Sequence, residues 1–303
     1  MPAPIALFVF ARPDHTRRTL AALAACAEAG ETDLIVFCDG PRTADERPKV
    51  EETREIARGA KGFRRVILHE RKENVGLARN IIEGVSAVVA EYGRIIVVED
   101  DIRVSAGFLT FMNRALNHYE LEPRVWHIAG WTYPISGLGE QESFLWRAMN
   151  CWGWGTWADR WIAFNKDPHR LIRSWTRKDI HRFNIDGAEP GFWQQVEMNA
   201  RGEINTWAIF WYATIFERGG LCLNPTVTLV ENIGLDGTGV HSPDLGEMPE
   251  ILLNPKGRLT FPSEISEHAE TVKLIGTHLR RPPQKLRRRI KQRLKRLIRA
   301  RVR

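Results

Sequence analysis

Only four of the 303 residues are cysteine, and Cys26, Cys38, Cys151 and Cys222 show neither metal-ligand nor redox spacing. That excludes a disulfide framework, a zinc knuckle and a dithiol motif, and a reduced, cytoplasmic chain is expected. No apolar run is long enough to cross a bilayer. The apolar stretch at residues 5–11 has no charged segment ahead of it and is too short for a signal peptide, so it reads as a buried strand. No internal repeat is present. Acidic residues are missing altogether from residues 280–303, which hold 13 Lys/Arg. Without that segment the formal net charge of +7 becomes −6, so the chain is a mildly acidic body with a basic tail.

What remains is ordinary for a soluble globular protein: 43% hydrophobic and 27% charged, in a length that suits one large or two small domains. Tryptophan is the exception. All 11 fall between Trp126 and Trp211. Such aromatic faces suit either a Trp-rich core or a carbohydrate site.

The first hundred residues alternate. Apolar runs at 5–10, 34–38, 65–69 and 95–98 read as strands. Between them, residues 16–29, 44–59 and 76–92 read as helices, with Pro13 in the first loop and Asp14 as an N-cap. A βαβαβαβ order predicts a parallel sheet. Beyond Asp101 the regularity fades. Helices are expected at 106–120, 171–183 and 205–218, strands at 125–130, 221–223 and 226–230, and a Gly-rich loop at 234–255.

The most telling stretch is Ile95-Ile96-Val97-Val98-Glu99-Asp100-Asp101. Four β-branched residues read as a strand buried on both faces, so the carboxylates belong where it emerges. In open α/β sheets ligands bind at that end of the strands. Three crowded carboxylates repel unless a cation or substrate hydroxyls relieve them, which points to a hard metal ion and a phosphate-bearing substrate. Alternation along an extended chain sends Glu99 and Asp101 one way and Asp100 the other.

This strand end resembles the GT-A class of nucleotide-sugar glycosyltransferases. Residues 8–13, Phe-Val-Phe-Ala-Arg-Pro, are similar to the first strand and loop of glycosyltransferase family 2-like proteins, and residues 37–40, Phe-Cys-Asp-Gly, to the end of the second strand. Residues 74–80, Asn-Val-Gly-Leu-Ala-Arg-Asn, are similar to that family's N-x-G-x-x-x-N segment. Glu99-Asp100-Asp101 resembles the EDD metal motif of N-acetylglucosaminyltransferase I. Residues 153–157, and 205–207 through 232–234, resemble bacterial sugar transferases of surface-polysaccharide pathways. The resemblance spans residues 4–242.

It implies an α/β GT-A fold: a nucleotide-sugar-binding lobe at 1–103, an acceptor-binding lobe of the same domain at 104–260, and a linker with a basic amphipathic tail at 261–303. Ala11, Arg12 and Asp39 are expected at the base, ribose or phosphate of a nucleotide-sugar, with UDP implied by the resemblance alone. Gly76 would open a helix whose amides face phosphate or sugar oxygens, with Arg79 one turn on and Asn74 either in the same site or capping the helix. Asp101 would bind Mn²⁺ or Mg²⁺, and Glu99 and Asp100 sugar or ribose hydroxyls. His241, after a Gly-rich loop, would reach the metal or a phosphate.

An inverting transfer needs a carboxylate base. Related sequences place an Asp just before or after the Trp of the segment matching 205–208, where this chain has Asn205 and Ala208. Glu203 is the nearest carboxylate and the expected base, with Glu197 and Asp159 behind it. Without a base the protein would be retaining, substrate-assisted or inactive.

In the tail, Leu286, Ile290, Leu294, Leu297, Ile298 and Val302 follow helical spacing among basic residues. Residues 285–303 are expected to lie on an anionic membrane surface rather than on nucleic acid, because no stacking aromatics are present. The leading expectation is a glycosyltransferase, peripheral at the inner face of the plasma membrane, acting on a glycan or lipid-linked acceptor. A sugar-phosphate nucleotidyltransferase is a rival, although Ala11-Arg12-Pro13-Asp14 replaces its Gly-rich loop. A non-catalytic glycan-binding protein is the other.

Overall fold

The structure, a computed structural model, describes residues 1–135, 142–234 and 260–280. His241 and the basic segment 285–303 lie outside them. The first lobe runs β1 (Ile5–Val9), α1 (Pro13–Ala24), β2 (Asp33–Cys38), α2 (Arg47–Arg58), β3 (Arg65–Glu70), α3 (Leu77–Tyr92) and β4 (Arg94–Glu99). The four strands pair in parallel in the order β3-β2-β1-β4, with Ile5 opposite both Leu34 and Ile96. Every residue of β1 and β2 is buried, as a strand covered on both faces requires. α1 starts three residues earlier than expected: Pro13 is its first residue, where a missing N–H costs nothing. Asp14 therefore lies in the first turn and caps nothing.

The second lobe comprises β5 (Ile102–Val104), α4 (Phe108–His118), β6 (Val125–Ala129), β7 (Ser143–Trp146), β8 (Trp154–Trp157), α5 (Ala158–Trp161), α6 (Pro168–Ser174), α7 (Arg177–Phe183), α8 (Gly191–Ala200), α9 (Ala208–Glu217), β9 (Leu221–Pro225), β10 (Val230–Asn232) and α10 (Ala269–Leu279). β8 lies antiparallel between β4 and β6, and β9 and β7 complete an eight-stranded mixed sheet among the described residues. This is the α/β, Rossmann-like architecture expected of a GT-A fold, and the two lobes share one sheet. β5 and β10 form a separate antiparallel pair, with Ile102 opposite Asn232. No helix of the described residues is long and apolar enough to cross a membrane.

A core covers each face. Ile5, Leu7 and Val9 pack with Leu20, Leu23 and α4 on one side. Ala6, Phe8, Ile35 and Phe37 pack with α3 and the second-lobe aromatics on the other. Trp146, Trp154, Trp157, Trp161, Trp193, Trp207 and Trp211 are buried, so most of the tryptophan is core. α3 comes close to the sheet at Gly84, where a Cβ would meet Phe8 ring carbons at 2.7 and 2.8 Å.

Several expectations are corrected. The helix expected at 171–183 is two helices, broken at Trp175 by a capping box in which Thr176 and Asp179 bond reciprocally. The strand expected at 226–230 is instead β10, which begins where that expectation ends. Residues 260–280 are no linker: Val272 and Ile275 of α10 are core, and Tyr119 Oη donates to Pro262 O at 3.1 Å.

Candidate functional site

From β1 the chain winds outward through β2 and β3, then returns to β4 on the other side of β1. The strand order reverses there, and ligands of open α/β sheets bind in the crevice at the carboxyl ends of such strands. β1 delivers Phe10, Ala11 and Arg12 to that crevice, and β4 delivers Glu99, Asp100 and Asp101. Ala11 turns the chain sharply, at φ 47°, a left-handed conformation uncommon for a residue with a Cβ.

The turn changes how the carboxylates point. β4 ends at Glu99, and Asp100 and Asp101 form a turn, so strict alternation does not extend through them. Arg12 reaches both aspartates: Nη1 lies 2.8 Å from Asp101 Oδ2 and 3.6 Å from Asp100 Oδ1. Asp100 is buried and accepts the Phe10 N–H at 3.0 Å, while its carbonyl accepts Thr19 Oγ1 at 2.8 Å. The second lobe closes over Asp101. Ile233 N donates to Asp101 O at 2.8 Å, and a Cβ on Gly234 would lie 2.4 Å from Asp101 Oδ2. Only glycine lets the chain lie that close to the carboxylate.

Glu99 differs from both neighbours. It is half-buried and carries no hydrogen bond or ion pair among the described residues. Burial, then the charges of Asp101 and Asp100, push its carboxyl well above the usual range. Burial and Asp101 raise Asp100 in the same sense, against the opposing Phe10 N–H and Arg12. The Cys151 thiol is also raised, first by burial and then by the charges of Glu99 and Asp101. Three carboxylates thus face one guanidinium, an arrangement that favours a further cation or hydroxyl donors.

Asp39 has a task within the fold itself. Its Oδ1 accepts Gly40 N at 2.8 Å and Val75 N at 3.0 Å, and its Oδ2 accepts Gly76 N at 3.0 Å. The carboxylate is 4% exposed and ties the loop after β3 to the end of β2. The amide of Gly76, expected to face a substrate anion, is held by the protein's own anion. Asn74 does not cap α3: its Nδ2 donates to Gly40 O at 2.8 Å, and Gly76 is the N-cap at φ 79°. Arg79 is exposed and pairs with Glu83 at 2.6 Å.

Glu203 is exposed and pairs with Arg201 at 2.6 Å, which lowers its carboxyl pKa. An exposed, ion-paired carboxylate is a weakened proton acceptor. Of the fallbacks, Asp159 pairs with Arg160, and Glu197 accepts Trp193 Nε1 at 3.0 Å.

Among the described residues, no group of three or more His, Cys, Asp or Glu side chains is arranged to hold a metal ion. A hard divalent ion is nonetheless commonly held by one or two carboxylates with substrate phosphates completing its shell. The all-oxygen, under-neutralised set at Asp100 and Asp101 fits that pattern, with Arg12 already on one oxygen. Thr19 joins this site without having been singled out from the sequence, and Gly234 joins it without having been given a role. Gly234 sat in the segment 232–234, but its bearing on Asp101, more than a hundred residues earlier, has no local signature.

No protein-family model and no curated protein matches the chain. Among solved structures, residues 1–349 of S. aureus TarS align with 48% of this chain and 41% of that one, at 13% identity and a TM-score of 0.34.

Proposed function

We propose that the protein is a glycosyltransferase that takes a sugar from a nucleotide-sugar, with UDP the first nucleotide to test, to a glycan or lipid-linked acceptor. The observation that carries this reading is the carboxylate cluster Glu99-Asp100-Asp101 facing Arg12 where the strand order reverses. Asp101, backed by Asp100, holds a divalent cation such as Mn²⁺ or Mg²⁺. When bound, that ion stabilises the charge of the departing nucleoside diphosphate. Arg12, already paired to Asp101, supplies a second positive charge to the diphosphate. Glu99, lacking a partner of its own, accepts from hydroxyls of the donor sugar. The Asp39-tied loop walls the nucleotide side. Residues 285–303 hold the enzyme at an anionic membrane surface.

Thermal shift with a panel of nucleotide-sugars, with and without Mn²⁺, tests this. One nucleotide should stabilise the protein by mass action only when the metal is present. Asp101→Asn should abolish the metal-dependent part and the slow hydrolysis of the same nucleotide-sugar. A protein that no nucleotide-sugar stabilises under either condition is not this enzyme.

A further inference from the structure

A cavity of about 240 Å³ opens in the second lobe, between the chain after β6, the loop from β7 to β8, and α8 with α9. Trp131 and Tyr133 come from the first, Asn150, Cys151 and Trp152 from the second, and Phe192 from α8. None of these was assigned a role from the sequence.

Four observations converge on one kind of occupant. The rings form a corner: Trp131 meets Tyr133 at 4.8 Å and 66°, and Trp152 at 5.0 Å and 74°. Trp131 and Trp152 keep partial exposure while most other tryptophans are buried. Within this wall the Asn150 side-chain Nδ2 is buried with no hydrogen-bond partner among the described residues. The Asn150 backbone carbonyl accepts from His127 Nε2 at 2.9 Å, which anchors the chain at this residue. A buried amide left unpaired is costly, and a ligand oxygen within reach would satisfy it. Gln195 adds a second polar side chain to the lining. Finally, the cavity borders the carboxyl end of β4, because Cys151 and Trp152 line it and lead into β8, whose Trp154 pairs with Val97 two residues before Glu99.

An aromatic π-face is negative and attracts C–H hydrogens, while an amide donor needs an oxygen. A pyranose offers both, an apolar C–H face and a rim of hydroxyls. A nucleobase wants parallel faces on both sides, and the near-perpendicular rings leave no such slot. The volume lies below the roughly 300–1,000 Å³ of pockets that enclose drug-sized ligands, so it admits one ring rather than a chain. We propose that this cavity is the subsite for the terminal pyranose of the acceptor, stacked on Trp152 and held by Asn150. The proposal rests on the glycosyltransferase reading above.

The test uses the full chain with UDP and Mn²⁺ and, as probes, methyl glycosides of a hexose and of an N-acetylhexosamine. Saturation-transfer NMR should show contact to ring C–H protons of at least one glycoside. Trp152→Ala and Asn150→Ala should each weaken that binding at least fivefold while leaving the UDP thermal shift unchanged, which also shows that both variants fold. Glycoside binding that survives both substitutions overturns the proposal. So does an absence of glycoside contact in a protein that UDP stabilises. If UDP has no effect yet both variants lose the glycoside signal at unchanged melting temperature, the subsite stands and the donor reading falls.

Discussion

Glu99 brings an ionisable carboxyl into a half-buried place with nothing among the described residues to pair it, two residues from Asp101, which Arg12 holds at 2.8 Å. Partnerless charge of this kind weighs against the fold and belongs where a ligand will answer it. Glu99→Gln should therefore raise the melting temperature of the ligand-free protein at pH 8 by at least about 2 °C, the shift that 1 kcal/mol makes in a large domain. Calorimetry checks this, and the same variant should lose nucleotide-sugar stabilisation. Asp39 predicts the opposite. Its three backbone donors are stranded in Asp39→Ala, which should lower stability in urea by about 1.5–3 kcal/mol, the range for bonds to charged groups. The cluster at 99–101 was legible because three acids ended an apolar run. The duty of Asp39 was not, since a carboxylate that holds a loop and one that holds a ligand have the same letter and neighbours.

At the scale of elements, the strands of the first lobe were legible where burial on both faces leaves an unbroken apolar run, as in Ile5–Val9. Ser143–Trp146 and Trp154–Trp157 escaped because tryptophan and glycine give no clean period, and β5 is only three residues long. α8 and α10 were missed for a related reason: each buries only a few residues of its face. The break between α6 and α7 was readable, as Thr176 and Asp179 stand at capping-box spacing. The packing of α3 makes a sharper test. Alanine at an interior helix glycine ordinarily gains about 1 kcal/mol. At Gly84 the new methyl meets Phe8 at 2.7 Å and Phe37 at 3.2 Å, and overpacking of a core costs about 1–3 kcal/mol. Gly84→Ala should therefore shift the urea midpoint downward, and an upward shift would mean that α3 stands farther from the sheet.

Across the whole molecule, acid sensitivity has a buried origin. His127 is fully buried, and burial holds its pKa at about 3, against the Asn150 carbonyl that accepts from its ring. Unfolded, the imidazole protonates below pH ~6.5. The unfolded state thus takes up a proton that the fold refuses, so stability is present above that pH and is lost as pH falls toward 3. Between pH 7 and 5 the loss from this group is about 2 kcal/mol. Glu99 and Asp100 act in the other sense, because their raised pKa values mean that acid relieves them. Urea titrations of wild type and His127→Gln at both pH values separate the two, and the variant should lose about 2 kcal/mol less on acidification. That histidine also accepts from Trp211 Nε1 at 3.2 Å, and Trp211 lies 4.9 Å from Trp161, which lies 5.8 Å from Trp154, itself stacked 5.2 Å from Trp207. Indoles fixed this close couple optically. The lobe therefore carries its own near-ultraviolet circular-dichroism signature, one that vanishes when packing loosens even while helices and strands persist.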